Sequence, residues 1–179
     1  MKKQDSLVKM ILSALFLALA YLMPFLTGQI QSIGNKLCPM HIPVILCGFI
    51  CGWYWGLSVG FIAPLLRSFT LGMPILFPNA IAMAVELAVY GMFSGLMYKI
   101  FPKKKIYIYP SLLIAMISGR IVWGFVMYVL MGLKGSVFTL KAFYAGAFLN
   151  AMPGIVIQII LIPILVMIFD FAKKSRGRI

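Results

Sequence analysis

The sequence predicts an all-α integral membrane protein, a compact bundle of six transmembrane helices in one domain covering residues 1–179. Three observations lead to this fold class. First, 63% of the residues are hydrophobic and only 11% are charged, too apolar for the surface of a water-soluble domain. Second, the apolar segments lack the alternation of barrel strands, so the spans are helices. Third, about 20 apolar residues cross a bilayer, so this length accommodates about six spans.

The first predicted span covers residues 8–26 and is followed by a polar interlude over 27–40. The apolar run is longer than a signal-peptide core and lacks a small-residue cleavage site, which argues against a cleaved leader. Ala14 and Ala18 lie four residues apart, so they share one helix face that another helix can approach closely, within this chain or from a partner. The interlude is long enough to fold over a site as a lid.

The second and third predicted spans, residues 41–54 and 57–71, are short and joined by a tight turn at the WYWG sequence. We expect this pair to be buried among longer helices, because both segments are near or below the length of a bilayer. Glycines recur every four residues across the pair, at Gly48, Gly52, Gly56 and Gly60. This spacing predicts close helix packing, with Gly56 used in the turn.

Three longer spans complete the prediction, at residues 80–100, 107–131 and 142–172. A proline-containing loop, GMPILFPN, precedes the first of them. The last carries Pro153 and Pro163, which we expect to kink it.

Basic residues set the predicted orientation. With six spans, the side of the N-terminus collects the lysines of residues 2–9, those of 99–105 and the basic C-terminal residues 173–178. The other side has only Lys36, Lys134 and Lys141 in its loops. The positive-inside rule therefore places both termini in the cytoplasm. The net charge of +13 is explained by this topology and needs no nucleic-acid partner.

Three charged residues lie well inside the predicted spans: Arg67, Glu86 and Arg120. Each costs a few kcal/mol in the membrane, on the order of 2.5–3.5 by insertion scales, unless it is paired or faces water. Counting residues from the span ends puts them at similar depths, so we predict that they meet in one cavity. Two interpretations stay open: Glu86 pairs with an arginine to pin helices together, or one arginine is left to face a ligand.

Further hydrogen-bonding and aromatic side chains accompany these charges on the later spans. Such groups line small-molecule pockets, although aromatic residues also serve packing and the membrane interface. The candidates are Asn79, Asn150, Gln158, Trp123, Tyr128 and Tyr144. His41 stands at a predicted helix start and is interpreted as a capping or interface residue, because one histidine cannot form a metal site.

No motif for enzymatic chemistry is found in the sequence. There is no HExxH, no Walker phosphate loop and no carboxylate pair, so we predict a protein that is not an enzyme and has no cofactor. Cys38, Cys47 and Cys51 are odd in number, and we interpret them as small core residues rather than as a disulfide or metal site.

The chain resembles the substrate-binding S component of energy-coupling factor (ECF) vitamin transporters. The resemblance is carried by AxxxA in the first helix (Ala14 to Ala18), the long first outer loop, and the blocks LCPMHIPVILCGFICG and RSFTLGMP within a chain of 179 residues. Such a subunit binds a scarce water-soluble micronutrient from outside. It docks on a transmembrane coupling protein with two cytoplasmic ATPases, and topples in the membrane to release its cargo inside.

The resemblance implies a docking face at Ala14 and Ala18 and a ligand under the first outer loop. By region, the ligand contacts would include Asn79, Glu86, Arg120, Tyr144 and Asn150. The location would be the plasma membrane of a bacterium.

The sequence leaves several ligands open. Two arginines against one glutamate would favour an anion such as pantothenate if all three line the pocket. If the arginines are used elsewhere, Glu86 is suited to the edge of a guanine-type base such as a queuosine precursor. Riboflavin-like ligands also stay open. The alternative from another class is a small intramembrane enzyme or scaffold with a structural Arg/Glu cluster.

Overall fold

The computed structural model describes residues 2–27, 36–102 and 104–176. Within these ranges the protein is helical, with no strand. Its helices are α1 (Lys2–Leu22), α2 (His41–Cys51), α3 (Trp53–Leu71), α4 (Ile81–Ile100), α5 (Ile108–Leu133), α6 (Leu140–Tyr144) and α7 (Met152–Arg176).

Four of the described helical segments are long and apolar enough to cross a membrane: Gln4–Phe25, Leu76–Ile100, Lys105–Leu133 and Met152–Ala172. They correspond to α1, α4, α5 and α7. Helix α2 has 11 residues and therefore spans only about 16 Å, half the thickness of the hydrocarbon core. The chain is thus a multi-pass membrane protein, whereas the count of six spans and the cytoplasmic termini remain predictions.

The break between α2 and α3 lies at Gly52, not in the predicted WYWG turn. Gly52 has a φ of 105°, which glycine adopts without steric cost, and Trp53 already begins the next helix. The third helix is consequently 19 residues long, so the prediction of a short third helix is wrong. Gly56, which we assigned to the turn, is free to serve in packing.

Glycines form a close seam between α4 and the α2–α3 pair. A Cβ atom added at Gly48 or Gly56 would collide with the backbone carbonyl of Gly91, and one added at Gly60 would meet that of Leu87. Gly95 of α4 touches the backbone of α3 at its first residue. The predicted close packing is confirmed, because only glycine permits backbones to meet at this distance.

The predicted sixth span is interrupted. Helix α6 ends at Tyr144, and a wide turn follows. In this turn the backbone N–H of Asn150 donates to the Ala145 carbonyl, 2.9 Å away. Pro153 stands in the first turn of α7, directly after this wide turn, and has no N–H to continue the hydrogen-bond pattern. Pro163 lies inside α7.

Candidate functional site

A buried ion pair joins α4 to α5. Arg120 Nη1 lies 3.0 Å from Glu86 Oε1, and the two residues are only 7% and 2% exposed. Both charges are therefore almost completely removed from solvent. A buried carboxylate is tolerated only with a close partner and further hydrogen bonds. Of the two interpretations left open by the sequence, pairing of Glu86 with one arginine is what the structure shows.

Two more side chains approach the same carboxylate oxygen. Tyr90, one turn after Glu86 on α4, donates from its hydroxyl to Glu86 Oε1 over 3.1 Å. His41 Nε2, at the start of α2, lies 3.7 Å from that oxygen, and its ring centroid is 5.2 Å from that of Tyr90. Gly119 of α5 makes room for the Tyr90 ring. Three helices thus converge on Glu86.

The described residues just before α2, at the end of the interlude over 27–40, contact this cluster. Arg120 Nη2 donates to Cys38 Sγ at 3.8 Å, and Cys38 is buried in a left-handed conformation with φ 46°. Burial raises the pKa of the Cys38 thiol, more than the nearby Arg120 lowers it, so this sulfur stays protonated. Gly154 of α7 packs against the carbonyls of Lys36 and Leu37, which precede Cys38.

Arg67 does not join the cluster, and the expectation that all three intramembrane charges meet is wrong for this residue. Its Nη1 donates to the Tyr21 carbonyl of α1 over 2.9 Å, and its guanidinium lies 5.1 Å from the centroid of the Phe25 ring. Depth in the membrane was predicted from residue counts, which do not determine the face of α3 that carries the side chain. The side of α3 that carries Arg67 is turned toward α1.

Several buried polar atoms of the cluster and of α7 have no hydrogen-bond partner among the described residues. They are His41 Nδ1, His41 Nε2, Arg120 Nε and Gln158 Nε2. A buried polar group left unpaired costs about 1–3 kcal/mol, so such groups are rare in a purely structural core. Gln158 is 1% exposed and stands one turn after Gly154 on α7, on the face that meets the loop end.

The other predicted site residues surround the ends of these helices. Asn79 is half-buried in the wide turn before α4, and Asn150 is exposed in the turn before α7. Tyr144 ends α6 with 58% of its surface exposed. Neither asparagine hydrogen-bonds to Glu86 or Arg120 in the described part of the chain. The structure therefore does not bring these three into the ionic cluster.

The aromatic candidates on α5 separate into two environments. Trp123 stacks on Phe143 of α6 with ring centroids 6.4 Å apart, and its ring also fills the space beside Gly146. Tyr128 is exposed on the outside of the bundle. Trp123 therefore fixes the segment between α5 and α7, whereas Tyr128 has the exposure of a lipid-facing or interface residue.

Sequence reasoning did not identify Tyr90 and Cys38 as part of the site. Tyr90 could have been predicted from the sequence, because it follows Glu86 by four residues and so shares its helix face. The contact of Cys38 with Arg120 joins residues 82 apart in sequence, and no local pattern indicates it.

The predicted docking residues lie on the uncovered side of α1. Ala14 and Ala18 are exposed, while Ser13, Phe16 and Ala20 on the opposite side are buried against the bundle. The interpretation that the two alanines pack within the chain is therefore excluded for the described residues. Ala14 and Ala18 therefore form a strip of small side chains on the surface of the protein, the alanine strip of α1.

A comparison with protein families gives a match that covers nearly the whole chain. The model of the family described as "ECF transporter, substrate-specific component" matches residues 8–166. The chain belongs to this family. No curated protein and no solved structure matches. The resemblance inferred from the sequence is thus confirmed: the family is one of substrate-binding transport subunits, and the match does not favour the alternative of an intramembrane enzyme or scaffold.

Proposed function

We propose that this ECF S component is the high-affinity substrate-binding subunit of an ATP-driven importer in the bacterial plasma membrane. It captures a water-soluble vitamin or related micronutrient from outside and releases it inside. The observation that carries the proposal is the buried Glu86–Arg120 pair, attached to the end of the first outer loop in a chain of this family.

The ligand is proposed to bind beside the ionic cluster, under the loop end. Glu86 and Arg120 form the buried end of the site. Asn79, Tyr144 and Asn150 lie near the ends of α4, α6 and α7, where they would contact the opposite end of a ligand. Among the described residues, His41 Nδ1 and Arg120 Nε of the cluster have no hydrogen-bond partner, and this supports a ligand-binding role, because a cluster built only to pin helices would satisfy them.

The partner is proposed to be an ECF module, a transmembrane coupling protein with two cytoplasmic ATPases. Docking would use the exposed strip at Ala14 and Ala18, since small residues let a second helix approach closely and separate again. ATP hydrolysis would reside in the partner subunits, because this chain has no phosphate-binding loop.

Mass spectrometry of small molecules released by denaturing the purified protein tests ligand binding. We expect one compound, close to equimolar, from the wild type. The variants Glu86→Gln and Arg120→Met each leave a buried charge unpaired and should be destabilised by about 3–5 kcal/mol. The double variant removes both charges, so it should recover much of this stability and still release no compound.

The Tyr98→Phe variant serves as the control for the double variant, because Tyr98 bonds Asp170 away from the cluster. This control should retain the compound. A double variant that is folded and releases the same amount as the wild type would show that the ion pair is structural only.

A further inference from the structure

The turn between α4 and α5 exposes three lysines, which together form the basic turn. They are Lys99 in the last turn of α4, and Lys104 and Lys105 shortly before α5. The backbone N–H of Tyr107 donates to the Lys104 carbonyl over 3.0 Å, and the rings of Phe101 and Tyr107 lie 5.7 Å apart. The positions of these lysines are therefore set by a packed turn.

No carboxylate neutralises the basic turn in the described part of the chain. The sequence has only three acidic side chains. Glu86 is buried against Arg120, and Asp170 accepts a hydrogen bond from the Tyr98 hydroxyl. The third, Asp5, lies in the first turn of α1. The ion pairs of the described residues all involve Glu86, so the charges of the basic turn are available to an anionic partner.

The basic turn lies at the surface of the membrane. It joins two segments that can span a bilayer, Leu76–Ile100 and Lys105–Leu133. Exposed apolar side chains stand next to the lysines: Ile100 follows Lys99 and is 62% exposed, and Ile106 follows Lys105 and is 71% exposed. Uncovered isoleucines at a span end contact hydrocarbon, and lysines beside them extend to the headgroups.

The turn between α2 and α3 adds aromatic side chains at the same end of the bundle. Gly95, one turn before Lys99, packs on the backbone of Trp53, which begins α3. Trp53 and Tyr54 are 41% and 60% exposed, with their rings edge to face at 5.9 Å. Tryptophan and tyrosine are enriched at the depth of the headgroups. Two separate turns thus indicate that this end of the bundle lies at the membrane interface.

We infer that the basic turn, with Trp53 and Tyr54 beside it, binds the anionic headgroups of membrane phospholipids. The lysine ammonium groups donate to the phosphate oxygens, while the neighbouring isoleucines contact the acyl chains. The positive-inside rule predicts that this end faces the cytoplasm, where anionic lipids attract basic residues near the membrane. This surface is separate from substrate binding, because Lys99 lies about 20 Å from Glu86 along α4.

Native mass spectrometry of the purified protein in detergent tests the inference. The protein is titrated with phosphatidylglycerol, or with phosphatidylcholine of the same acyl chains, and the association constant of the first bound lipid is measured. We expect phosphatidylglycerol to bind at least about tenfold more tightly, because each lysine near an anionic surface contributes about fivefold. The double variant Lys104→Gln, Lys105→Gln should lose most of this preference.

Two further double variants serve as controls. Lys134→Gln with Lys141→Gln removes two exposed lysines beyond the other end of α5 and should keep the preference. Lys104→Arg with Lys105→Arg keeps both charges and should keep it as well. The compound bound by the wild type should be retained in every variant.

Three results would overturn the inference. The first is an equal affinity of the wild type for the two lipids. The second is the same loss of preference in the Gln variants of both ends. The third is unchanged lipid binding by the Lys104→Gln, Lys105→Gln variant together with loss of co-purification with an ECF module, which would show that the basic turn contacts an acidic protein surface instead. None of these results bears on capture of the micronutrient.

Discussion

The glycine seam of α4 and the alanine strip of α1 place small residues at the same four-residue spacing in opposite environments. Gly56 and Gly91 lie backbone to backbone between α3 and α4. Ala14 and Ala18 contact solvent or membrane rather than another described helix. Over comparable apolar windows, 56% of the α4 segment is buried but only 17% of the α1 segment.

The comparison shows that small-residue spacing predicts a close approach without identifying the partner. The seam is used inside the chain, and it also positions the site: Gly60 packs on the carbonyl of Leu87, the residue after Glu86. The strip is left for a surface outside the chain. We therefore propose that folding and ligand binding depend on one set of small residues, and docking on the other.

The largest expected effect is at the seam. Gly91→Val would place a branched side chain against the Gly56 backbone, which has no flexible side chain to move. We expect destabilisation of at least about 3 kcal/mol, seen as loss of monodisperse protein in gel filtration. Gly132→Ala is the control, because a Cβ there meets no atom within 4 Å. A well-folded Gly91→Val protein would contradict the backbone contact.

The alanine strip should behave in the opposite way. Replacing Ala14 and Ala18 with Trp should leave the melting temperature and the bound compound unchanged, because both side chains are exposed. Co-purification with an ECF module and uptake should be lost. Ala20→Trp is the matched control on the buried side of α1, and it should unfold the protein instead. Loss of ligand binding in the strip variant would place these alanines in the core.

A smaller effect is expected where α1 is held to α3. Arg67→Met removes the hydrogen bond to the Tyr21 carbonyl and the contact with Phe25, so we expect a loss of about 1–2 kcal/mol in thermal or chemical unfolding. Thr70→Val removes an exposed hydroxyl that contacts the Tyr21 hydroxyl and the Leu66 carbonyl of its own helix, and it should change stability by less than about 0.5 kcal/mol. Ligand binding should survive both changes. If Arg67→Met abolishes ligand binding at retained folding, Arg67 belongs to the site.

Composition and glycine spacing were sufficient for much of the fold. The apolar segments predict the helical class, and the glycines at four-residue intervals predict the seam. The exact break between α2 and α3 was not accessible, because Gly52 and Gly56 are equally suited to a turn and only the packing of Gly56 on Gly91 decides between them. For the same reason the third helix was predicted too short.

The candidate site was predictable in part. The cost of buried charge indicated that Glu86 needs a partner, and Arg120 is that partner. The position of Arg67 against α1 depends on the rotation of α3 about its own axis. A count of residues along the helix gives no information on this rotation. The contacts of His41 and Cys38 join distant parts of the chain and follow only from the packing of α2 and the loop end on α5.

Reconstituted uptake tests the central claim most directly. The protein and an ECF module are placed in liposomes containing ATP, and the compound released from the purified protein is added outside. The account predicts ATP-dependent accumulation of the unmodified compound, abolished by the double Trp variant of Ala14 and Ala18 and by omission of this chain. Chemical conversion of the compound by this chain alone, or equal accumulation without it, would contradict its assignment as the substrate-binding subunit of an importer.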